Sequence, residues 1–132
     1  MTASTAEAKA IEFLIRYCEA WSGRNQSALD FMTDVYADTV NFYGKAISKR
    51  AVMTDKRKFA NRWPTRRYTV RGGSEKVSCN GSECYIEAII DWYAHSEQRG
   101  KTATGVADFE LTWDLQRRVI TSETGKVLKA NR

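Results

Sequence analysis

Three glutamates on long strand-like stretches are where this chain could do chemistry. Glu87, Glu110 and Glu123 fall on successive stretches, and a four-residue loop at Leu115–Arg118 would line them up across neighbouring strands on the outer face of a sheet. Aligned carboxylates repel, so they call for a cation or a basic neighbour. Lys76, expected opposite Glu87, supplies one. Salt bridging is the simpler reading, and no metal site is expected. A loop one residue longer or shorter turns Glu123 to the concave side, where it becomes the best single acid. His95 is the sole histidine, which excludes histidine-led triads and multi-histidine metal sites. Asp91 precedes it by four residues, about 13 Å at the rise of a strand. That is too far for a catalytic pair, so His95 is expected as an exposed residue near a hairpin end.

Cysteine chemistry is the second possibility. Cys18 falls on the apolar side of a helix and is expected as a small buried hydrophobe. Cys79 and Cys84 bracket Asn80-Gly81-Ser82-Glu83, which has the length of a hairpin loop, and would face each other across two strands. In an oxidising compartment they can form a disulfide worth about 2 kcal/mol. In a reducing one they are two packed thiols. The spacing, with no second pair, does not suit zinc.

Charge is the third. The net charge is +5, and it is uneven. Lys45, Lys49, Arg50, Lys56, Arg57, Lys58, Arg62, Arg66, Arg67 and Arg71 are set against Asp55 alone between residues 45 and 71. Such a segment attracts anions, although a solvated helix face is the commoner cause of a charge run. Trp63 and Tyr68 lie in it, but no groove-reading motif or aromatic strand platform accompanies them. Nucleic acid is therefore not the expected partner.

The elements that must position these groups follow from periodicity. The 132 residues, 42% hydrophobic and 28% charged, suit one domain over 1–132 with a real core. Apolar runs such as Ala88-Ile89-Ile90 are too short to span a membrane. The N-terminus has neither a basic start nor an apolar segment, so no signal peptide is expected. As given, the chain is expected in the cytoplasm, or in the periplasm if it is a mature or excised part of a longer protein. Ser4-Thr-Ala-Glu7 fits a capping box for a first helix over about 5–22, striped by Ala10, Ile11, Leu14, Tyr17, Cys18 and Trp21. A second helix runs from Asn25 or Ser27 to about Asp38. Thr39–Tyr43 is a short strand closed by Gly44. A third helix runs from Ser48 to Trp63 before Pro64, with Val52, Phe59 and Trp63 inward.

Strands at Arg66–Arg71 and Glu75–Cys79 follow. A long hairpin then pairs Cys84–Ser96 with Lys101–Trp113, and Val119–Leu128 is the last strand. Folding the hairpin at Glu97–Gly100 places Trp92 on Gly105, Ile90 on Ala107, Ala88 on Phe109 and Cys84 on Trp113. Every one of these residues is apolar or small, and they share one face. The expected architecture is α+β, with three N-terminal helices packed in the concave face of a strongly curved, mostly antiparallel sheet. Tyr17, Trp21, Tyr36, Tyr43, Trp63, Trp92 and Trp113 are expected to line the concave pocket. Tyr85, Ile89, Tyr93 and Val106 are apolar on the outer face, which suggests a protein interface.

Ala10-Ile-Glu-Phe-Leu-Ile-Arg-Tyr-Cys-Glu-Ala-Trp21, Tyr36-Ala-Asp-Thr-Val-Asn-Phe-Tyr-Gly44 and Ile120-Thr-Ser-Glu123 together resemble the nuclear transport factor 2-like superfamily. That superfamily includes SnoaL-like cyclases, ketosteroid isomerase and many binding or adaptor domains. The resemblance implies a cone-shaped fold and a dimer through the sheet. The segment from Asp55 to Tyr68, with Asp91-Trp92, resembles a bacterial subgroup often found at the C-terminus of exported proteins, which favours an extracytoplasmic home and a Cys79–Cys84 bridge. Tyr17 falls where the isomerases carry an oxyanion-hole tyrosine. The place of their general base holds Phe42 or Tyr43, and that of their second acid holds Ala107, with Asp108 on the other face.

A large aromatic interior with few convergent ionisable groups favours a non-catalytic domain without a cofactor that binds a protein partner or a small apolar ligand. Two alternatives stand beside it. One is an isomerase, dehydratase or cyclase with Tyr17 as hydrogen-bond donor and Glu123 or Asp91 as acid–base group. The other is an assembly subunit of an envelope or secretion complex.

Overall fold

A computed structural model describes residues 5–131. The chain runs α1 (Thr5–Trp21), α2 (Asn25–Val35), β1 (Tyr36–Phe42), β2 (Lys45–Ser48), α3 (Lys49–Arg62), β3 (Thr65–Val70), β4 (Lys76–Cys79), β5 (Glu83–Ser96), β6 (Lys101–Asp114) and β7 (Val119–Asn131). The three helices pack against a curled sheet of order β2-β1-β7-β6-β5-β3, with β4 paired to the other half of β5. All pairings are antiparallel except β1 with β7.

The long hairpin has the register that its alternation implies. Cys84 pairs Trp113, Ile90 pairs Ala107 and Trp92 pairs Gly105. Gly105 is there for space. A β-carbon on it would lie 2.4 Å from the Trp92 ring and 2.5 Å from the Lys129 carbonyl.

Four details depart from the sequence expectation. The second helix ends at Val35, because Tyr36 already belongs to β1. Lys45–Ser48 is a strand, paired to β1 about Tyr43 and Gly44, both at positive φ as a two-residue hairpin turn requires. On α3 the buried residues are Val52, Met53, Lys56 and Ala60. Phe59 and Trp63 are half-buried beside them. The last strand continues to Asn131. The Ser4 capping box lies outside the described residues. Ser48 caps α3 as expected, accepting from the Ala51 amide at 3.1 Å.

Arg66 is the fastener between helices and sheet. Its guanidinium is buried and donates to the carbonyls of Trp21, Gly23 and Trp63 and to Asn25 Oδ1. It therefore satisfies open carbonyls at the ends of α1 and α3 together. Burial draws its pKa below the ordinary arginine value. Cys79 and Cys84 are joined by a disulfide across the β4–β5 turn. No helix among the described residues is long and apolar enough to cross a membrane.

Candidate functional site

The site begins with a bulge. The β6–β7 loop is the four residues assumed at first, 115–118, yet Glu123 does not join the outer face. Trp113 pairs Ile120, but Thr112 pairs Ser122, so Thr121 is an extra residue in β7. Its hydroxyl reaches the Thr112 carbonyl at 3.4 Å. A one-residue slip reverses every side chain beyond it. Glu123 therefore pairs with the inward Leu111 and is only 1% exposed. This corrects the expected row of Glu87, Glu110 and Glu123. On the outer face it is Asp108 that completes a cluster with Glu87 and Glu110, their oxygens within 4.8 Å of one another.

Inside, Glu123 meets donors from three elements. Its Oε1 accepts from the hydroxyls of Tyr36 (2.5 Å) and Tyr17 (3.0 Å), while Oε2 faces Lys56 Nζ at 3.4 Å. Lys56 also donates to the Tyr17 oxygen at 2.9 Å. Its ammonium lies 4.8 Å from the ring centre of Trp21, 5.3 Å from that of Tyr17 and 5.8 Å from that of Tyr36. A buried carboxylate is tolerable only with such company. Burial first, and Glu123 second, push the Tyr17 and Tyr36 hydroxyls well above their usual pKa, which keeps both as proton-bearing donors.

Above this floor opens a cavity of about 440 Å³. Trp21, Phe59, Trp63, Tyr68, Trp92 and Phe109 are among its walls, and Asp55, Arg62 and Val127 stand where exposed residues meet it. Burial raises the Tyr68 hydroxyl to about 12, so it does not ionise in the working range of most proteins.

Of the seven aromatic residues expected to line the pocket, Tyr17, Trp21, Tyr43, Trp63 and Trp92 do line it. Tyr36 stands behind them, fully buried against Glu123. Trp113 belongs elsewhere. It stacks on Phe13 with ring centres 4.8 Å apart and borders a separate hollow of about 210 Å³. Asp91 is also remote from Tyr17. It sits on the outer face in an exposed pair with Arg71 at 2.6 Å. Tyr85, Ile89, Tyr93 and Val106 share that face. Tyr85, 42% exposed, donates to Glu110, and the Arg67 guanidinium lies over the Tyr93 ring. Ala107 lines the cavity while its neighbour Asp108 is on the outer side.

Lys56 is the site residue that reading the sequence overlooked. By charge it belongs with the basic run of α3. Its position gave the signal, four residues after Val52 and three before Phe59, in the middle of the apolar stripe. A lysine there must either reach out to solvent or find a counter-charge.

No protein-family model matches the chain, and no curated protein matches it significantly in sequence. Solved structures match it well in shape. A nuclear transport factor 2-like superfamily protein of Salmonella enterica superposes with a TM-score of 0.75 at 12% identity, over 96% of this chain and 93% of that one. A scytalone dehydratase-like protein of Novosphingobium aromaticivorans gives 0.77 at 6% identity, over 95% and 86%. A protein with a cystatin-like fold from Caulobacter vibrioides gives 0.68 at 11% identity, over 92% and 89%. With three helices in the hollow of a curled, seven-stranded sheet, the chain has the cone-shaped fold of the nuclear transport factor 2-like superfamily.

Proposed function

We propose that the domain binds a small apolar ligand in this cavity and does not transform it. The observation that carries the reading is an open, aromatic-walled cavity whose floor carboxylate is already engaged. Glu123 accepts from both tyrosines and faces Lys56. A general base needs a free lone pair aimed at the proton it removes, and here the lone pairs serve the fold. Apolar walls with a small polar floor are what ligand pockets have in common.

The competing reading is turnover, and the 3.0 Å contact between Tyr17 and Glu123 favours it. The fold is shared with a scytalone dehydratase-like protein, but acid–base work at Glu123 would require it to release one of its donors.

Titration with the neutral apolar fluorophore N-phenylnaphthylamine tests binding. Fluorescence is expected to rise and saturate with the domain. It is expected to fail with Ala107→Trp and with Ala103→Phe, which add bulk to the wall, each variant first shown to be folded by circular dichroism. Absence of saturable binding, or binding unchanged in both folded variants, overturns the proposal.

A further inference from the structure

We infer that the hollow beside Trp113 is a docking site for an acidic peptide segment of a partner protein, which seats one aromatic residue in it. The hollow shares no lining residue with the larger cavity, so the inference stands apart from the binding reading above.

Size and walls set the anchor. The hollow measures about 210 Å³. Pockets for whole ligands usually begin at about 300 Å³, whereas an apolar cavity of about 150 Å³ takes up benzene. One aromatic side chain is the occupant of that size. Phe31 and Val35 of α2 line it with the stacked pair Phe13 and Trp113. Phe13 and Phe31 are only half-buried, and a ring between them would finish their burial. Trp113 is 4% exposed, and its indole Nε1–H is buried without an acceptor. Few buried donors are left so, and this wall still has a hydrogen bond to make.

Charge sets what flanks the anchor. Lys9, Arg16 and Arg118 border the hollow against one acid, Glu12, and all four are exposed. None of them forms a salt bridge among the described residues. A helix pair between Glu12 and Arg16 would be weak and would still leave two cations over. Arg118 reaches the rim from the β6–β7 turn at φ 58, where glycine would be at ease. An arginine there adds charge beside the hollow at a conformational cost.

Spacing favours a peptide over a small aromatic acid. Lys9, Glu12, Phe13 and Arg16 share one face of α1 at helical spacing. Lys9 and Arg16 are thus about 10 Å apart along the axis. A single carboxylate cannot meet both. Acids one or two residues to either side of an anchor lie about 7–13 Å apart in an extended chain, which brackets that distance. An aromatic anchor in a pocket with complementary charge around it is how many protein interfaces are built.

The test titrates the domain with a blocked pentapeptide, Asp-Asp-Phe-Asp-Asp, and follows the indole N–H signal of Trp113 by NMR, identified by its loss in Trp113→Phe. A saturable shift is expected. Replacing the peptide's phenylalanine by alanine should weaken binding roughly thirtyfold, the scale of a lost anchor. In Arg16→Glu/Arg118→Glu, shown to melt as the parent does, binding should weaken roughly tenfold at low salt, and binding to the parent should weaken as salt rises. Arg118→Gly is the second variant. Relieved of the positive φ, it should melt no lower than the parent and yet bind roughly threefold more weakly. No saturable shift, equal binding of Lys-Lys-Phe-Lys-Lys, or binding unchanged in both folded variants overturns the inference. Phenylacetate bound as tightly as the peptide also overturns it, by making the hollow a site for a free aromatic acid.

Discussion

One sheet carries carboxylates on both faces, and the two faces treat them differently. On the concave side a single acid, Glu123, is 1% exposed and is met by Tyr17, Tyr36 and Lys56. On the convex side Glu87, Asp108 and Glu110 crowd within 4.8 Å, half-buried. They have Tyr85 as a donor to Glu110, and Lys76 opposite Glu87. Water can screen the outer cluster, so the protein need not balance it. Water does not reach the inner acid, so its partners must come from α1, α3 and β1 together. The inner charge is therefore bound up with the fold, and the outer one is largely a local matter.

Removing the inner cation should break this balance most severely. Lys56→Met leaves Glu123 buried without a counter-charge, at an expected cost of about 3–5 kcal/mol, read by urea denaturation. Lys76→Met, its counterpart on the wet face, should change stability far less. The double variant Lys56→Met/Glu123→Gln should recover part of the loss, because no unpaired charge then remains, and the coupling appears as non-additivity. A Lys56→Met loss no larger than that of Lys76→Met would erase the distinction between the faces.

The next effects probe how each face is built. Gly105→Ala inserts a methyl group where Trp92 and the Lys129 carbonyl already stand. Overpacking of this kind should cost about 3 kcal/mol, with a change in tryptophan fluorescence as Trp92 shifts. Reducing the Cys79–Cys84 disulfide frees the turn that holds β4, and so Lys76, against β5. The loss should be about 2 kcal/mol, read as a lower urea midpoint in dithiothreitol, and it should vanish in a Cys79→Ser/Cys84→Ser variant.

What could be read in the residues divides along the same line. The hairpin was legible because two strands alternate independently and a single register sorts both. Tyr17 and Trp21 were legible from the stripe of α1. Glu123 was not, because its face depends on one extra residue at Thr121, and a bulge leaves no trace in a run as polar as Thr121-Ser122-Glu123-Thr124. Lys56 lay in plain view on the α3 stripe, but a charge is ordinarily assigned to solvent. Its partner comes from a strand 67 positions later in the chain. β2 is four residues long and begins with a charge, too little alternation to register as a strand.

The smallest effect sharpens the comparison from the outer side. A hydrogen bond that the protonated Glu87 carboxyl donates to Asp108, then desolvation and the neighbouring acids, raise the Glu87 carboxyl above its ordinary pKa, while Lys76 opposes the rise. A raised carboxyl pKa means that the folded protein holds this proton more firmly than the unfolded chain does. Its contribution is therefore favourable below the unfolded value, and is lost as pH climbs through the folded one. At neutral pH the cluster is thus a slight burden on the fold. Glu87→Gln keeps the shape and removes one charge, so it should raise the melting temperature at pH 7 by roughly 1–2 °C, the scale of a surface substitution. The gain should fade towards pH 4, where Glu87 in the parent is itself becoming neutral. Glu123→Gln should behave in the opposite way at pH 7, lowering stability by stripping Lys56 of its counter-ion. A Glu87→Gln gain that persists undiminished into acid would show that the outer carboxylates are not in electrostatic conflict.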